Sequence, residues 1–280
     1  MLDYKPNIVL ATGEYKVVGT RPIRHDGADK VTGQAKYGAD IILPGLLHGK
    51  ILRSPHAHAR IKSIDTSKAE AAPGVHAVVT SADWEQPTGK VEDLAEGSIH
   101  NLRFLSNNIL AYGKVLYKGH AVAAVAAANP HQAEEALALI DVDYEVLTPV
   151  NNFREAMKEG APLLHERLET LSDPGLRAGG YKSDEDTAMG SNVANHFEFR
   201  VGDVEKGFQE ADVIVEKETN TAAVHQGYIE PHTGTAMWQP DGSLTVWSST
   251  QGHFNARDLL SRLLNLPVSR IRVIPMEIGG

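Results

Sequence analysis

Residues 247–280, WSSTQGHFNARDLLSRLLNLPVSRIRVIPMEIGG, constrain what this chain can fold into more than any other stretch. Val246 and Trp247 end an apolar strand. Ser248, Ser249, Thr250 and Gln251 then place four hydrogen-bonding side chains in a row. Leu259, Leu260, Leu263, Leu264 and Leu266 recur at helical spacing, so the next element buries one face. Pro267 ends that helix. Ile271, Val273 and Ile274 form a second strand, and Gly279-Gly280 follow it. Polar side chains at the carboxyl end of one strand, facing glycines at the end of the next, are a common way to hold a polar ligand.

The same residues resemble the large, molybdopterin-binding subunit of the xanthine dehydrogenase/aldehyde oxidase family. That family carries a Ser-Thr-Gln turn, a helix, a Leu-Pro approach to an Ile/Val strand, and a glycine run of the form G-G-x-F-G-G-K. Ser249-Thr250-Gln251 matches the turn, and Leu266-Pro267-Val268-Ser269-Arg270-Ile271 matches the approach. Gly279-Gly280 matches the start of the glycine run, which reads as a truncated or split cofactor loop; the plain alternative is a flexible terminus. The resemblance implies that the Gln251 amide donates to an oxo ligand of molybdenum. A neutral amide can do this without adding charge, unlike Lys or Arg. The competing reading of Gln251 is an exposed residue capping the helix that begins near Gly252.

Upstream, the chain divides into an N-terminal arm (1–36), a domain over 37–150, a connector (151–195) and the start of a second domain (196–280). In the arm, Arg24, Asp26, Lys30, Thr32 and Gly33, with Ala35 and Tyr37, fit the family's lead-in pattern R-x-D-G-x-x-K-V-T-G-x-A-x-Y. In the first domain, residues 46–53 and 77–80 read as strands, Ser81–Trp84 as a turn or short helix, and 85–109 as a polar loop. Ser54-Pro55-His56-Ala57-His58 resembles half a metal site. No third ligand sits at useful spacing, and the resemblance, through the family's R-S-P-x-x-x-A-x-I run, implies a structural corner. The clearest unit is a buried strand over Ala121–Ala127, then Asn129 as N-cap, Pro130 at the first helical position and Gln132 completing a capping box. Residues 142–147 alternate as a half-buried strand. The resemblance names this an α/β hammerhead domain, giving an α+β fold that continues into the first part of a mixed α/β molybdopterin-binding domain.

The connector carries an apolar patch, Pro162-Leu163-Leu164-His165, which the resemblance implies is a strap between domains. The second domain opens with G-D-V-E-K-G-F-Q-E-A-D-V-I-V-E over 202–216, close to the family's form. A short helix there should pack Val204, Phe208 and Ala211 inward before a strand begins at Asp212. In His225-Gln226-Gly227-Tyr228-Ile229-Glu230-Pro231-His232, Pro231 breaks any helix, and a strand would put the two histidines on opposite faces, against metal binding. By resemblance Glu230 is a carboxylate that shapes the active site; plain core packing is the alternative.

Composition narrows the function. The formal charge is 27 − 36 = −9 with no basic cluster, which argues against nucleic acid as a partner. There is no cysteine, so no cysteine-ligated iron–sulfur cluster or zinc-thiolate site belongs to these residues. No apolar run approaches the ~20 residues of a membrane span, and no signal-like start is present, so a cytoplasmic location is expected. The resemblance implies oxidation of a heterocycle or aldehyde with water as oxygen source. It implies molybdopterin as cofactor, shared with a remaining molybdopterin-binding polypeptide, and iron–sulfur clusters and FAD on partner subunits. The family's general-base glutamate has no counterpart in these residues, so the chain by itself is expected to be inactive. A docking scaffold and a sister activity, CoA-thioester reduction or carbon monoxide oxidation, stand as alternatives.

The Gly-, Asp- and Ser-rich run DPGLRAGGYKSDEDTAMGS over 173–191 is expected to be a protease-sensitive hinge. Limited proteolysis should cut there first; a first cut within 121–147 would refute the assignment.

Overall fold

The computed structural model describes residues 15–83, 91–94, 98–166, 168, 171–173, 190–197 and 201–280. The expected hinge lies almost wholly outside the described residues.

The first half contains two small three-stranded sheets, each with its own central strand. Strand β1 (His48–Arg53) and β3 (Val75–Thr80) flank β7 (Ala121–Ala127), both antiparallel to it. Strand β2 (Ala59–Asp65) lies between β6 (Lys114–Val115) and β8 (Asp141–Val146) in a second antiparallel sheet. The apolar run Ala-Val-Ala-Ala-Val-Ala-Ala has this position because β7 is covered on both faces. Ala123 and Val125 pack with Ala69, Ala136 and Ile140, against helices α2 (Ser67–Glu70) and α4 (Pro130–Leu137). Val122 joins Ala59, Ala111 and Val115 on the other side. Alanine at the contact lets α4 approach closely, and the interior stays dense.

Helix α4 starts as its sequence specifies. The Asn129 side chain accepts from the Gln132 N–H at 2.9 Å, and Pro130 follows the cap. The Gln132 side chain bonds the Asn129 side-chain amide, at 2.8 Å, and not its backbone N–H. A Cβ at Gly74 would stand 2.2 Å from Gln132 Oε1, so the β3 turn and the helix cap interlock.

Residues 85–109 are not simply loop. Strands β4 (Val91–Leu94) and β5 (Ser98–Asn101) pair, and helix α3 (Leu102–Ile109) follows. Leu102 and Ser106 are its buried residues, continued by Leu110 just past its end at the same spacing of four, and the serine in the middle hid that stripe from a hydrophobic count. The Ser54–His58 corner is structural: the buried His58 donates from Nδ1 to the Thr148 carbonyl at 2.7 Å. The strap at 162–165 is tied down by Lys114, which donates to the Leu163 carbonyl at 3.1 Å. The Asn192 amide also holds it, donating to the Ala156 and Pro162 carbonyls at 3.0 Å. In the connector lie a short helix α5 (Phe153–Ala156) and a parallel pair, β9 (Leu171–Asp173) with β10 (Asn195–Phe197).

The second half begins with helix α6 (Val204–Glu210), capped by Asp203, which accepts from the Lys206 N–H at 3.0 Å. Val204 and Phe208 do not pack inward: they are 40% and 57% exposed, and Ala211 is exposed as well. No strand forms over 212–216. Further on, β11 (Gly234–Trp238) pairs antiparallel with β12 (Leu244–Ser248), and β12 pairs parallel with β13 (Ile271–Pro275). Helix α7 (His253–Leu263) makes the crossover. Its end is closed by Asn265 at φ 51°, with Ser261 Oγ donating to the Leu266 carbonyl at 2.6 Å. The architecture is therefore mixed α/β with small sheets. No described helix is long and apolar enough to cross a membrane.

One buried ring makes the first half sensitive to pH. His120 is fully buried; Nε2–H donates to the Asn107 carbonyl at 2.9 Å and Nδ1 accepts from the Leu116 N–H at 3.2 Å. Both nitrogens serve the neutral ring, and burial pushes its pKa below the ordinary histidine value of 6.5. His165, against Phe104, is pushed the same way by burial and then by Lys114. The unfolded state therefore binds protons more readily. Stability is full above the unfolded pKa and is lost as pH falls below it, toward and through the folded pKa. His120→Gln should remove one proton from this dependence, flattening the slope by up to about 1.4 kcal/mol per pH unit. Urea unfolding across pH 5 to 7, roughly the window of an ordinary histidine, measures it; equal slopes in the two proteins would show that His120 does not contribute.

Candidate cofactor-binding site

The parallel pairing of β12 and β13 brings their carboxyl ends to one edge, where ligands of α/β sheets commonly sit. Ser248 faces Pro275, and the Ser248 carbonyl accepts from the Met276 N–H at 3.0 Å, extending the pairing. Beyond Ser248 the chain turns. Thr250 Oγ1 accepts from the Gly252 N–H at 3.2 Å, and Gly252 is the N-cap of α7. Gln251 therefore does not cap the helix. It is exposed, and its amide makes no hydrogen bond among the described residues.

Glu230 ties the two carboxyl-end loops together. Its Oε1 accepts from Ser249 Oγ–H at 3.2 Å and its Oε2 from the Gly279 N–H at 2.5 Å. Ser249 Oγ also stands 3.2 Å from the Glu277 carbonyl. One residue back, the Ile229 N–H donates to the Gly280 carbonyl at 2.9 Å. Gly279 is required by this approach: a Cβ there would lie 2.9 Å from Glu230 Cβ and 3.0 Å from its Oε2. The result is a cleft of about 320 Å³ lined by Gln226, Tyr228, Glu230, Ser249, Gln251 and Gly279, among others. Three of the four residues singled out in the sequence, Gln251, Glu230 and Gly279, thus share one cleft. Gly280 lies beside it, with its carbonyl bonded to Ile229.

The two histidines near Glu230 are not on a strand. Gly227, at φ 72°, and Pro231 bend the segment so that both rings meet Tyr228, His225 at 4.8 Å and His232 edge-on at 5.1 Å. Among the described residues no group of three His, Cys, Asp or Glu is placed to hold a metal ion.

The arm supplies part of the site's support, a contribution that sequence reading missed. Tyr37 bridges Glu277, and the Glu277 N–H donates to the Lys36 carbonyl at 3.0 Å. Lys30 reaches the Glu277 carboxylate at 2.6 Å, which raises the lysine pKa. Just before helix α1 (Gly27–Thr32), Arg24 pairs with Asp26 and holds that carboxyl well below the usual carboxylate range, chiefly by its hydrogen bond. Gly38 is buried directly under the Ser-Thr-Gln turn: a Cβ there would stand 2.4 Å from Thr233 Oγ1 and 3.0 Å from Ser249 Oγ. Only its place beside Tyr37 in the lead-in pattern hinted at such a role.

Comparisons with known proteins agree with this architecture. Residues 32–148 match the family described as aldehyde oxidase and xanthine dehydrogenase, a/b hammerhead domain, and residues 186–280 match the molybdopterin cofactor-binding domain. The chain is 33% identical over 258 residues to a probable xanthine dehydrogenase subunit of Bacillus subtilis (strain 168), covering 92% of this chain and 30% of that protein. It is 32% identical over 267 residues to the nicotinate dehydrogenase large molybdopterin subunit of Eubacterium barkeri, covering 95% of this chain and 55% of that protein. The chain thus spans from 30% to 55% of the length of these two relatives. A structure of CO dehydrogenase from Oligotropha carboxidovorans superposes with a TM-score of 0.72 at 34% identity, over 94% of this chain and 31% of that one. Fold and matches together define a chain in which a hammerhead domain is followed by a molybdopterin cofactor-binding domain. The chain belongs to the xanthine dehydrogenase/aldehyde oxidase family.

The close approach of Glu230 to Gly279 yields a paired test. Gly279→Ala should destabilise the second half by about 1–3 kcal/mol, the usual range for a forced steric clash. Gly280→Ala, with nothing within 4 Å of its would-be Cβ, should change stability by less than about 0.5 kcal/mol. Denaturant midpoints of the complete subunit compare them; equal effects would mean that Glu230 does not crowd Gly279 in solution.

Proposed function

We propose that this chain forms part of the large subunit of a molybdenum hydroxylase that oxidises a heterocycle or an aldehyde, with water as the oxygen source. In that reaction a C–H bond is replaced by C–OH, and two electrons and two protons are released. The electrons leave through iron–sulfur clusters and FAD carried by partner subunits, and the working enzyme is cytoplasmic. The observation that carries the reading is the convergence of Gln251, Glu230 and Gly279 on one cleft at the carboxyl ends of β12 and β13.

The residues present fit a molybdopterin group. A cleft needing glycine at its rim lets backbone come close to a ligand. The exposed Gln251 amide offers a neutral donor that no described residue already occupies. The bound group supplies the two-electron redox chemistry, and the protein supplies orientation and electrostatics. Gln251 donates a hydrogen bond to an electronegative atom of the group. Ser249 and Glu230 hold the adjoining turns in place, so the donor needs no reorganisation when charge develops. The remaining cofactor loops and the general base belong to the remaining molybdopterin-binding polypeptide.

Carbon monoxide oxidation is the second reading, favoured by the 34% identity and 0.72 TM-score to the Oligotropha carbon monoxide dehydrogenase. Turnover of carbon monoxide against that of heterocycles and aldehydes by the assembled enzyme separates the two. For the shared site, Gln251→Ala in the complete enzyme should lower turnover by roughly ten- to a hundredfold, the worth of a charge-assisted hydrogen bond. Helix content should stay unchanged. Full activity with full molybdenum content would end the cofactor assignment of Gln251.

A further inference from the structure

We propose that Glu230 is a positioning residue whose carboxylate clamps the Gly279 turn to the Ser249–Gln251 turn, setting the cleft to receive the molybdenum cofactor. This deepens the molybdopterin reading above and rests on it.

Three observations carry the clamp. First, the two oxygens of one carboxylate accept from two different loops, Ser249 Oγ–H at 3.2 Å and Gly279 N–H at 2.5 Å. Those loops are the continuations of β12 and β13, and among the described residues no strand pairing joins them beyond Met276. Second, the contact is tight enough to exclude any side chain at Gly279. Third, Glu230 comes from an extended, largely exposed run: neighbouring Ile229 is 88% exposed, and residues 211–230 contain neither helix nor strand. Around Glu230, the described hydrogen bonds to the rest of the domain are those of its carboxylate and the Ile229–Gly280 backbone bond. Losing the carboxylate would therefore leave the glycine turn held to this run by the Ile229–Gly280 backbone bond alone, with the Gly279 N–H unpaired at the cleft.

The geometry also states which replacement should succeed. A glutamine can turn its carbonyl oxygen to the Gly279 N–H and its amide to Ser249 Oγ. The serine hydroxyl can then give its hydrogen to the Glu277 carbonyl, already 3.2 Å away. Every group stays satisfied. With Ser249→Ala added, the glutamine amide has no acceptor and the arrangement fails.

The test measures molybdenum per assembled enzyme and the thermal midpoint, in the full-length subunit with its partners. Glu230→Ala should lower molybdenum content by about tenfold or more, as expected for losing a charge-assisted bond at the site. Glu230→Gln should retain molybdenum to within about twofold. Glu230→Gln with Ser249→Ala should lose it, by more than the two single changes combined. Normal molybdenum in Glu230→Ala, or a fall in thermal midpoint with normal molybdenum, overturns the clamp and leaves a structural tether. If Glu230→Ala fails to assemble, the glutamine single and double variants decide by the same criterion: similar molybdenum in both overturns the clamp. Gln251→Ala run in parallel separates the hypotheses. A defect there with a normal Glu230→Ala removes only the clamp, whereas no defect in either removes the cofactor reading itself.

Discussion

The parallel pairing of β12 with β13 is the constraint on which the site depends. Leu244 and Ile271, both buried, open the pairing, and the register runs from them to Ser248 opposite Pro275. Because the strands run the same way, the chain leaves both at the same edge. Ser249, Thr250 and Gln251 emerge from one and Glu277 to Gly279 from the other. A crossover is unavoidable in a parallel pair, and α7 supplies it with one face against β13. A shift of one residue in this register would turn every side chain of the strand to the other face. The loops would then present different groups to the cleft.

The first half matters to the site through its lead-in. The dense core around β7 is preceded by the arm, and the arm crosses to the second half at residues 36–38. The ion pair across it, Lys30 with Glu277, is solvent-accessible and contributes little. The attachment rests instead on a backbone hydrogen bond from Glu277 to Lys36 and on Gly38 lodged against Thr233 and Ser249. A boundary drawn at residue 37 on sequence pattern therefore passes through a contact between the halves.

Residues 201–230 show the difference between local and non-local structure. Helix α6 forms because its signals are near at hand: an Asp203 cap and hydrogen bonds within one turn. The strand expected after Asp212 does not form, although Val213, Ile214 and Val215 have the right character. A strand needs a neighbour's N–H and C=O groups, and this segment has no paired neighbour among the described residues.

Much of the site was legible in the sequence, and the limit is physical. The order of strand, Ser-Thr-Gln turn, helix, Pro267 and strand follows from spacing within one helical turn or one pleat. The cap at Asn129 does as well. Local rules were enough for these, since each contact joins residues close along the chain. Sequence alone did not reveal helix α3, whose buried stripe contains Ser106, nor the meeting of His225 and His232 on one tyrosine ring. It did not reveal Gly38 beneath the turn. Above all it held no distance between Glu230 and its partners, which lie 19 and 49 residues away along the chain. Those contacts exist only once β12 and β13 have paired and the run before Glu230 has packed across their ends. Sequence thus determined which groups stand at the ends of which elements, and tertiary packing decided which of them meet.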